Sequence, residues 1–302
     1  MSSSPGSQAS TQEWVDFDEL NLGDPQAVSE YAASICKHLY AVEHERRASP
    51  AYLETLQSGA INPRMRAIVV DWLVEVSEEY ELCTDTLYQA VNYMDRYLSR
   101  QAIDRKNLQL VGVTCMWVAS KYEEKYPPTV SDFCEITDNT YTKAQLIQTE
   151  EHVLKTLSYE LTVPTAKTFL RRLLQVCSPD RETHMLANYL TELSLLDYGM
   201  LEFVPSVVAA SAVFLTNVLL GRLPWSANLH HYSTYLPIDL RHCVVELANV
   251  HRTVSPDQMS PQHLTALYEK YGKKQFLRAS TFPHLDAVEI EKLFGIPHIS
   301  QV

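Results

Sequence analysis

The stretch MRAIVVDWLVEV, residues 65–76, decides the fold because it is a helix with more apolar surface than a single core needs. Its apolar side chains fall in two arcs at about 100° per residue. One arc holds Met65, Ile68, Trp72 and Val76, and the other holds Ala67, Val70, Leu73 and Val74. Such a helix is either buried on every side or presents one stripe to a partner. The stretch alone leaves both interpretations open.

Composition favours an all-α chain of two domains. The 302 residues are 46% hydrophobic and 21% charged, which is enough for a sizeable core. Glycine occurs only eight times, and no Asn-Gly or Asp-Gly hairpin turn is present. The net charge of −12 argues against a general binder of nucleic acid or of anionic membranes, since both require basic surface.

The cysteines and the termini indicate an intracellular protein. The six cysteines are widely spaced and form no C-x-x-C pair, so we expect reduced packing residues rather than disulfides or a metal site. A signal peptide, a transmembrane run and a basic import cluster are all missing from the sequence. We expect a nuclear and cytoplasmic location, and the lack of an import signal leaves room for a carrier partner.

Hydrophobic periodicity divides the chain into four parts. We predict a disordered tail at 1–25, a first domain with a leading helix at 26–162, a second domain at 163–272 and an irregular tail at 273–302 with one short helix near 285–294. Pro164 separates the domains. Helices are predicted near 25–45, 63–80, 84–99, 106–122, 129–136, 142–156, 165–177, 181–197, 204–221, 238–252 and 261–271.

Two blocks of five helices suggest an internal repeat. The third helix of each block, LQLVGVTCMWVASKY and PSVVAASAVFLTNVLL, runs through small residues. Small side chains let neighbouring helices approach closely, as a central helix ringed by four others requires. The third helices are therefore expected to be central.

Two pairs of charges stand out among the apolar stretches. Arg66 projects into the arc of Val70 and Leu73, and a buried guanidinium needs a partner. Asp95, within VNYMDRYL, is the best candidate, and we interpret this pair as structural. Lys121 and Glu150 form either an ordinary surface pair or a site that binds a partner's backbone, and the residues alone leave both possible.

An enzyme is not indicated. The histidines do not form H-E-x-x-H or H-x-x-E-H, and His230 and His231 are expected in a loop. Phosphate-binding glycine loops, G-x-S-x-G and acidic metal loops are also missing from the sequence. Nothing assembles a nucleophile, a base and an oxyanion site.

Several stretches resemble the cyclin box in sequence and order: MRAIVVDWLVEVSEEYEL, VNYMDRYLS, LQLVG, ASKYEEKYPP, ITDNTYTK and the glutamate of TEEHVLKTL. The resemblance covers about 27–272 and is strongest over 60–175. MRAIVVDWL together with FLRRLLQV is similar to A-type (mitotic or S-phase) cyclins of plants or algae. It implies two tandem five-helix cyclin folds plus an N-terminal helix. It also implies an activating regulatory subunit of a cyclin-dependent kinase, without cofactor or catalysis of its own.

The resemblance also implies a kinase-binding surface. The five hallmark positions of the box match Arg66, Asp95, Leu110, Lys121 and Glu150, of which the first two are internal. In the family, the residues matching Lys121 and Glu150 bind the kinase near its αC helix, which the cyclin pushes inward. The surrounding contacts match Val118, Tyr122, Glu123, Tyr159 and Leu161, and the N-terminal helix adds Tyr31, Ile35 and Leu39.

A second surface is implied on the opening helix. The hydrophobic patch that docks Arg-x-Leu peptides of substrates and inhibitors matches Met65, Ile68, Val69, Trp72, Glu75, Leu108 and Gln109. Met65 and Trp72 would receive the leucine, and Glu75 would pair with the basic residue. Two positions depart from the family: Val69 stands where leucine is common, and Trp117 is bulkier than the usual aliphatic residue.

One alternative keeps the architecture and changes the function. A tandem cyclin-fold transcription factor or scaffold would lack a kinase partner, but it normally needs a basic surface that faces DNA. The charge of −12 disfavours it.

Overall fold

The computed structural model describes residues 14–177, 180–254, 264–285 and 287–295. These ranges are helical and contain no strand, which confirms the all-α prediction. The α-helices are α1 (Phe17–Leu20), α2 (Ser29–Val42), α3 (Tyr52–Thr55), α4 (Pro63–Glu79), α5 (Thr84–Leu98), α6 (Leu108–Glu123), α7 (Val130–Glu135), α8 (Lys143–Thr156), α9 (Ala166–Cys177), α10 (Arg181–Leu193), α11 (Pro205–Leu219), α12 (Ala227–Ser233), α13 (Pro237–Val254), α14 (Ala266–Gly272) and α15 (Ala287–Gly295).

The first five-helix unit is α4–α8, with α6 at its centre. Every residue of α6 from Leu110 to Ser120 is buried, and the helix contacts the other four helices of the unit. Gly112 allows the close approach of α4, because a Cβ at this position would lie 2.7 Å from Cγ1 of Val69. The starts of the helices are set locally, since Asn62 caps α4 and capping boxes begin α7 and α8.

The second unit is α9–α13, arranged around α11. The small residues Ala209, Ala210 and Ala212 are fully buried, and α11 contacts α9, α10 and α13. The internal repeat is therefore present as an architecture, with α6 and α11 as the two central helices.

The helix assignment of the second unit needs one correction. Its fourth helix, α12, was not predicted, and His230 and His231, expected in a loop, lie within it. The sequence ANLHHYS is short and has no apolar period, so its helical form depends on capping by Ser226 and on packing against α9. The fifth helix of the unit is consequently α13 and not the stretch near 261–271.

That last stretch forms α14, which packs on the first unit. Residues 261–263 of the predicted helix lie outside the described residues. Asp71 of α4 accepts a hydrogen bond from the backbone nitrogen of Ala266 (3.2 Å), and Lys270 pairs with buried Glu192 (2.8 Å). The hydroxyl of Tyr271 donates to the same carboxylate (2.6 Å). α14 therefore joins α4 to α10 of the second unit.

The N-terminal end differs from the predicted tail, whereas the C-terminal end agrees with the predicted short helix. Residues 1–13 of the tail expected to be disordered lie outside the described residues, but residues 14–24 include α1, and Trp14 stacks on His231 of α12. Aromatic contact with the second unit explains this order. In the C-terminal stretch, α15 agrees with the predicted short helix, and Phe294 stacks on Phe214 of α11.

Two further features concern the cysteines and the lengths of the helices. All six cysteines are free. Among the residues described, none of the helices combines the length and the apolar character that crossing a bilayer requires.

Candidate functional site: two surfaces of the first helical unit

Helix α4 divides its surplus apolar surface between the core and solvent. Val70 and Leu73 are completely buried, whereas 46% of the Ile68 side chain is exposed. Val76 belongs with the core and not with the exposed arc, because it packs inside the main cluster with 1% exposure. The exposed arc therefore ends at Trp72, which is half-buried.

The structure brings Arg66 and Asp95 together as a bidentate ion pair. Nε of Arg66 donates to Oδ1 of Asp95 (2.7 Å) and Nη2 donates to Oδ2 (2.6 Å), with both side chains almost fully buried. The hydroxyl of Tyr52 also donates to Oδ1 (2.9 Å). The carboxylate is therefore well satisfied, as a buried charge requires.

Arg66 also links the two units. Its Nη1 donates to the carbonyl oxygen of Leu195 (2.8 Å), which follows α10. Burial works to lower the pKa of Arg66, but the charge and hydrogen bonds of Asp95 more than offset this, and the pKa is raised. The guanidinium stays charged and acts as a structural element.

The residues predicted for the docking patch lie together on α4 and the start of α6. Met65, Trp72 and Gln109 are half-buried, and Ile68 and Glu75 are exposed. Val69, predicted for the floor of the patch, and Leu108, predicted as a patch member, are buried beneath these side chains because both pack in the core. The result is a shallow apolar surface with Glu75 at one end.

Two neighbours of this patch were missed from the sequence. The hydroxyl of Tyr141 lies 3.5 Å from Oε1 of Gln109. Asp71, on the side of α4 that faces α14, is nearly buried, and burial raises its pKa to about 7 although the Ala266 backbone nitrogen opposes the shift. Asp71 therefore connects the patch helix to α14.

The second surface is centred on Lys121 and Glu150, which the structure brings together. Nζ of Lys121, in the last turn of α6, forms an ion pair with Oε1 of Glu150 of α8. Nζ also lies 3.7 Å from the ring centroid of Trp117. The bulky Trp117 thus has a role that the sequence did not indicate: its ring supports the lysine by a cation–π contact.

A short segment after α8 borders this pair. Tyr159 has a φ of +60° and is 64% exposed, while Leu161 is half-buried. The segment is held by its carbonyl groups, since the hydroxyl of Tyr93 donates to Leu161 (2.9 Å) and Nη1 of Arg96 donates to Glu160 (3.0 Å). Its exposed side chains are therefore presented on a fixed backbone.

The remaining residues predicted for the kinase-binding surface differ in their exposure to solvent. Tyr122 is hydrogen-bonded to Thr162 (2.6 Å), and Glu123 accepts from Gln89 (3.0 Å), so both are exposed but held. Val118 is not a surface residue: it is 3% exposed because it faces the core of the unit. It supports the surface from beneath.

The apolar stripe predicted for the N-terminal helix lies on α2, apart from the Lys121–Glu150 pair. Tyr31 and Ile35 are exposed, and Leu39 is half-buried against the core. α2 contains no fully buried residue, and its C-terminal end is fixed by Glu43, which accepts hydrogen bonds from the backbone nitrogen (2.9 Å) and hydroxyl (2.8 Å) of Ser206. The N-terminal half of α2 therefore projects an unpartnered apolar face.

One group of side chains in the described ranges has ligand types suitable for a metal ion. Atoms of Cys83, Asp85 and Glu123 lie within 4.8 Å of one another. Asp85 is already paired with Arg171 and Glu123 with Gln89, and burial raises the pKa of Cys83, which favours the protonated thiol. This arrangement does not fit a metal site.

Family comparisons cover both helical units. Residues 34–162 match the family described as "Cyclin, N-terminal domain", and residues 164–285 match "Cyclin, C-terminal domain". The second match extends beyond the predicted limit at 272.

The chain is similar to curated plant proteins. The chain is 47% identical over 272 residues to cyclin-A1-2 of Arabidopsis thaliana, covering 87% of this chain and 60% of the relative. It is 46% identical over 271 residues to cyclin-A1-4 of Oryza sativa subsp. japonica, covering 87% of this chain and 74% of the relative. The chain spans about half to three fifths of the length of several other such relatives.

Solved structures share the fold. A viral cyclin from herpesvirus saimiri matches with a TM-score of 0.60 and 22% identity over 78% of this chain and 99% of that one. A chain in the crystal structure of the yeast RNA Pol II CTD kinase CTDK-1 complex matches with a TM-score of 0.62 and 15% identity over 84% of this chain and 86% of that one. The plant relatives and the two matched domains show that this chain belongs to the A-type cyclins of plant kind.

Proposed function

We propose that the chain is a regulatory subunit that binds and activates a cyclin-dependent Ser/Thr kinase and so drives cell-cycle progression. The observation that carries this proposal is the Lys121–Glu150 pair, held over Trp117 and bordered by the exposed side chain of Tyr159. A charged pair on a fixed backbone can bond a partner's main-chain groups in one geometry.

The proposed mechanism is positional. The family resemblance implies that this surface contacts the kinase near its αC helix, so that a kinase glutamate can pair with the ATP-binding lysine. The α2 stripe of Tyr31, Ile35 and Leu39 adds apolar contact area beside it. On this proposal the chain contributes no catalytic group, and its place of action is the nucleus and cytoplasm.

The test is a purified kinase assay with Lys121→Ala combined with Glu150→Ala. Removing both partners leaves no unpaired charge, so the fold is preserved, whereas about 2 kcal/mol or more of binding free energy is lost at a central polar contact. We expect phosphorylation of a histone-tail peptide to be abolished while helicity by circular dichroism is unchanged. Normal phosphorylation by this variant would contradict the proposal.

A matched control lies on the same helix. Lys155 and Glu151 form an exposed i,i+4 ion pair of α8, one residue away from Glu150 in sequence. Glu151→Ala with Lys155→Ala removes the same charges from a position outside the proposed surface. This control should activate the kinase fully.

We further propose that the patch on α4 recruits Arg-x-Leu substrates and inhibitors. Its shape and charge support this: Met65, Ile68 and Trp72 offer a shallow apolar surface, and Glu75 places a carboxylate at one end. The arginine and the leucine of such a peptide are close enough in sequence for the leucine to reach the apolar surface while the arginine reaches Glu75.

The docking test uses Met65→Ala with Trp72→Ala. We expect the KM for an Arg-x-Leu substrate to rise by about 10-fold or more with kcat unchanged, since the apolar side chains that receive the peptide's leucine are removed. Ile147→Ala is the control, because Ile147 is an exposed apolar residue of α8 outside the patch. An unchanged KM would refute the docking proposal.

A further inference from the structure

The N-terminal segment, Trp14–Leu20, has an unusual pattern that the cyclin function does not use. Its sequence WVDFDEL combines four apolar side chains with three carboxylates. Asp16 caps α1 by accepting hydrogen bonds from the backbone nitrogens of Asp18 (2.9 Å) and Glu19 (3.0 Å). The segment is therefore a compact acidic and aromatic peptide.

The second helical unit holds this peptide by its backbone. The nitrogen of Val15 donates to Oδ1 of Asn228 (2.8 Å), and the nitrogen of Phe17 donates to the hydroxyl of Tyr232 (2.8 Å). Hydrogen bonds from two backbone nitrogens, two residues apart, fix the position of the segment against α12 in the way that peptide-binding sites do.

Aromatic contacts accompany these hydrogen bonds. The ring of Trp14 stacks on His231 with centroids 3.6 Å apart and an interplanar angle of 8°. Phe17 meets the ring of Tyr232 edge to face at 6.2 Å. Both aromatic side chains of the segment thus contact α12.

Charge complementarity is centred on Arg172 of α9. Its guanidinium pairs with Asp18 and lies 4.6 Å over the ring of Tyr232. Its Nε is buried and makes no hydrogen bond within the described part of the chain. Lys37 and His44 of the α2 region line the same cleft together with Glu43, whose carboxylate is bonded to Ser206. The surroundings of the acidic segment are therefore mainly basic and aromatic, with one carboxylate.

The segment fills this site only partly. No residue of α1 is buried, and 41% of the Trp14 side chain remains exposed. A cleft of about 600 Å³ stays open between the segment, α2 and α12. Few buried contacts mean that local opening costs little free energy, so the segment can exchange with a competing ligand.

We propose that this cleft, the α12 groove, is a docking site for an acidic and aromatic segment of a partner protein. The groove is formed by Arg172, Asn228, His231 and Tyr232 together with the facing side of α2. The chain's own N-terminal segment occupies it when the partner is absent. The site lies between the second unit and α2, and neither Lys121 nor Glu150 lines it.

Hydrogen exchange of the intact chain tests this proposal. A synthetic peptide of residues 12–22 is added at millimolar concentration, comparable to the effective concentration of about 1 mM for a tethered segment. We expect the amides of Val15 and Phe17 to exchange several-fold faster, because the free peptide displaces the attached one. The control peptide carries D16N and D18N and should have much less effect.

A pair of variants in the chain tests the same site independently. Arg172→Ala should speed exchange of the segment several-fold, whereas Arg171→Ala should not, because Arg171 pairs with Asp85 instead. The proposal is overturned if the acidic peptide leaves exchange unchanged, if the neutral peptide acts equally well, or if the two arginine variants behave alike.

Discussion

The Lys121–Glu150 surface and the α4 patch belong to the same helical unit but are built differently. The first is polar: its lysine rests on Trp117, and the adjoining backbone is fixed by Tyr93 and Arg96. The second is apolar, with half-buried side chains over a buried floor. A polar surface that is held from several sides sets a geometry, whereas an apolar patch contributes area. The first therefore suits positioning of a kinase, and the second suits recruitment.

The largest expected effect comes from the buried ion pair that joins α4 to α5 in the interior of the first helical unit. Arg66→Ala leaves Asp95 as an uncompensated buried charge, which should lower the free energy of unfolding by about 3–5 kcal/mol. Both surfaces should weaken together because α4, α5 and the second unit lose a common link. Urea unfolding measures the change. The paired replacement Arg66→Met with Asp95→Leu should recover much of the lost stability, and a loss under 1 kcal/mol for Arg66→Ala would show that the pair is dispensable.

A smaller effect, confined to the patch side, concerns Asp71. Its pKa in the folded chain is about 7, above the ordinary value of 3.8, so the folded state binds the proton more tightly. The free energy of unfolding should therefore fall as the pH rises from about 4 to about 7, by about 2 kcal/mol after allowance for solvent screening.

The measurement for Asp71 is a difference between two pH profiles. Unfolding of the native chain and of Asp71→Asn is followed over the same range, so that titration of the other carboxyl groups cancels. The difference should grow in favour of Asp71→Asn toward pH 7. Parallel profiles would mean that Asp71 does not titrate in this range.

The next prediction concerns Trp117, which supports Lys121 on the polar surface. Trp117→Leu removes the π face beneath Lys121, and a partly exposed cation–π contact contributes about 1 kcal/mol. Kinase affinity should fall about 5-fold, while binding of an Arg-x-Leu peptide is unchanged. Trp117→Phe also removes side-chain volume but keeps an aromatic face, so it should bind the kinase better than Trp117→Leu when both are measured by calorimetry. Equal affinities would assign the tryptophan to packing alone.

The smallest effect belongs to Glu75. This carboxylate is exposed, so its pairing with a peptide arginine is screened by water and contributes about 0.5–1 kcal/mol. Glu75→Gln should weaken Arg-x-Leu peptide binding about 3-fold at low salt and hardly at all at 0.5 M salt. A titration by fluorescence anisotropy at both salt concentrations provides the measurement. A salt-independent loss would point to a shape effect instead.

Sequence reasoning succeeded where a physical constraint acts over many residues. The alternation of apolar arcs on residues 65–76 and the need of Arg66 for a buried partner both have counterparts in the structure. The small residues of the third helices likewise correspond to the central positions of α6 and α11.

It failed where a short segment depends on its tertiary neighbours. α12 has no apolar period of its own, and Trp14 is ordered by a stack on His231, more than 200 residues away in sequence. The depth of single residues was also missed, since Val118 and Leu108 lie beneath their surfaces rather than on them. Periodicity assigns a side chain to a face, but only the packed neighbours determine how deeply it is buried.

The division of labour between the two surfaces is tested most directly by one set of kinase assays. The kcat/KM of the complex is measured for a peptide that contains Arg-x-Leu and for the same peptide with the arginine and leucine replaced by alanine. Met65→Ala with Trp72→Ala should remove the difference between the peptides and leave the alanine peptide's rate intact, whereas Lys121→Ala with Glu150→Ala should abolish both rates. A patch variant that loses activity toward the alanine peptide, or a Lys121 and Glu150 variant that phosphorylates it normally, would contradict the account.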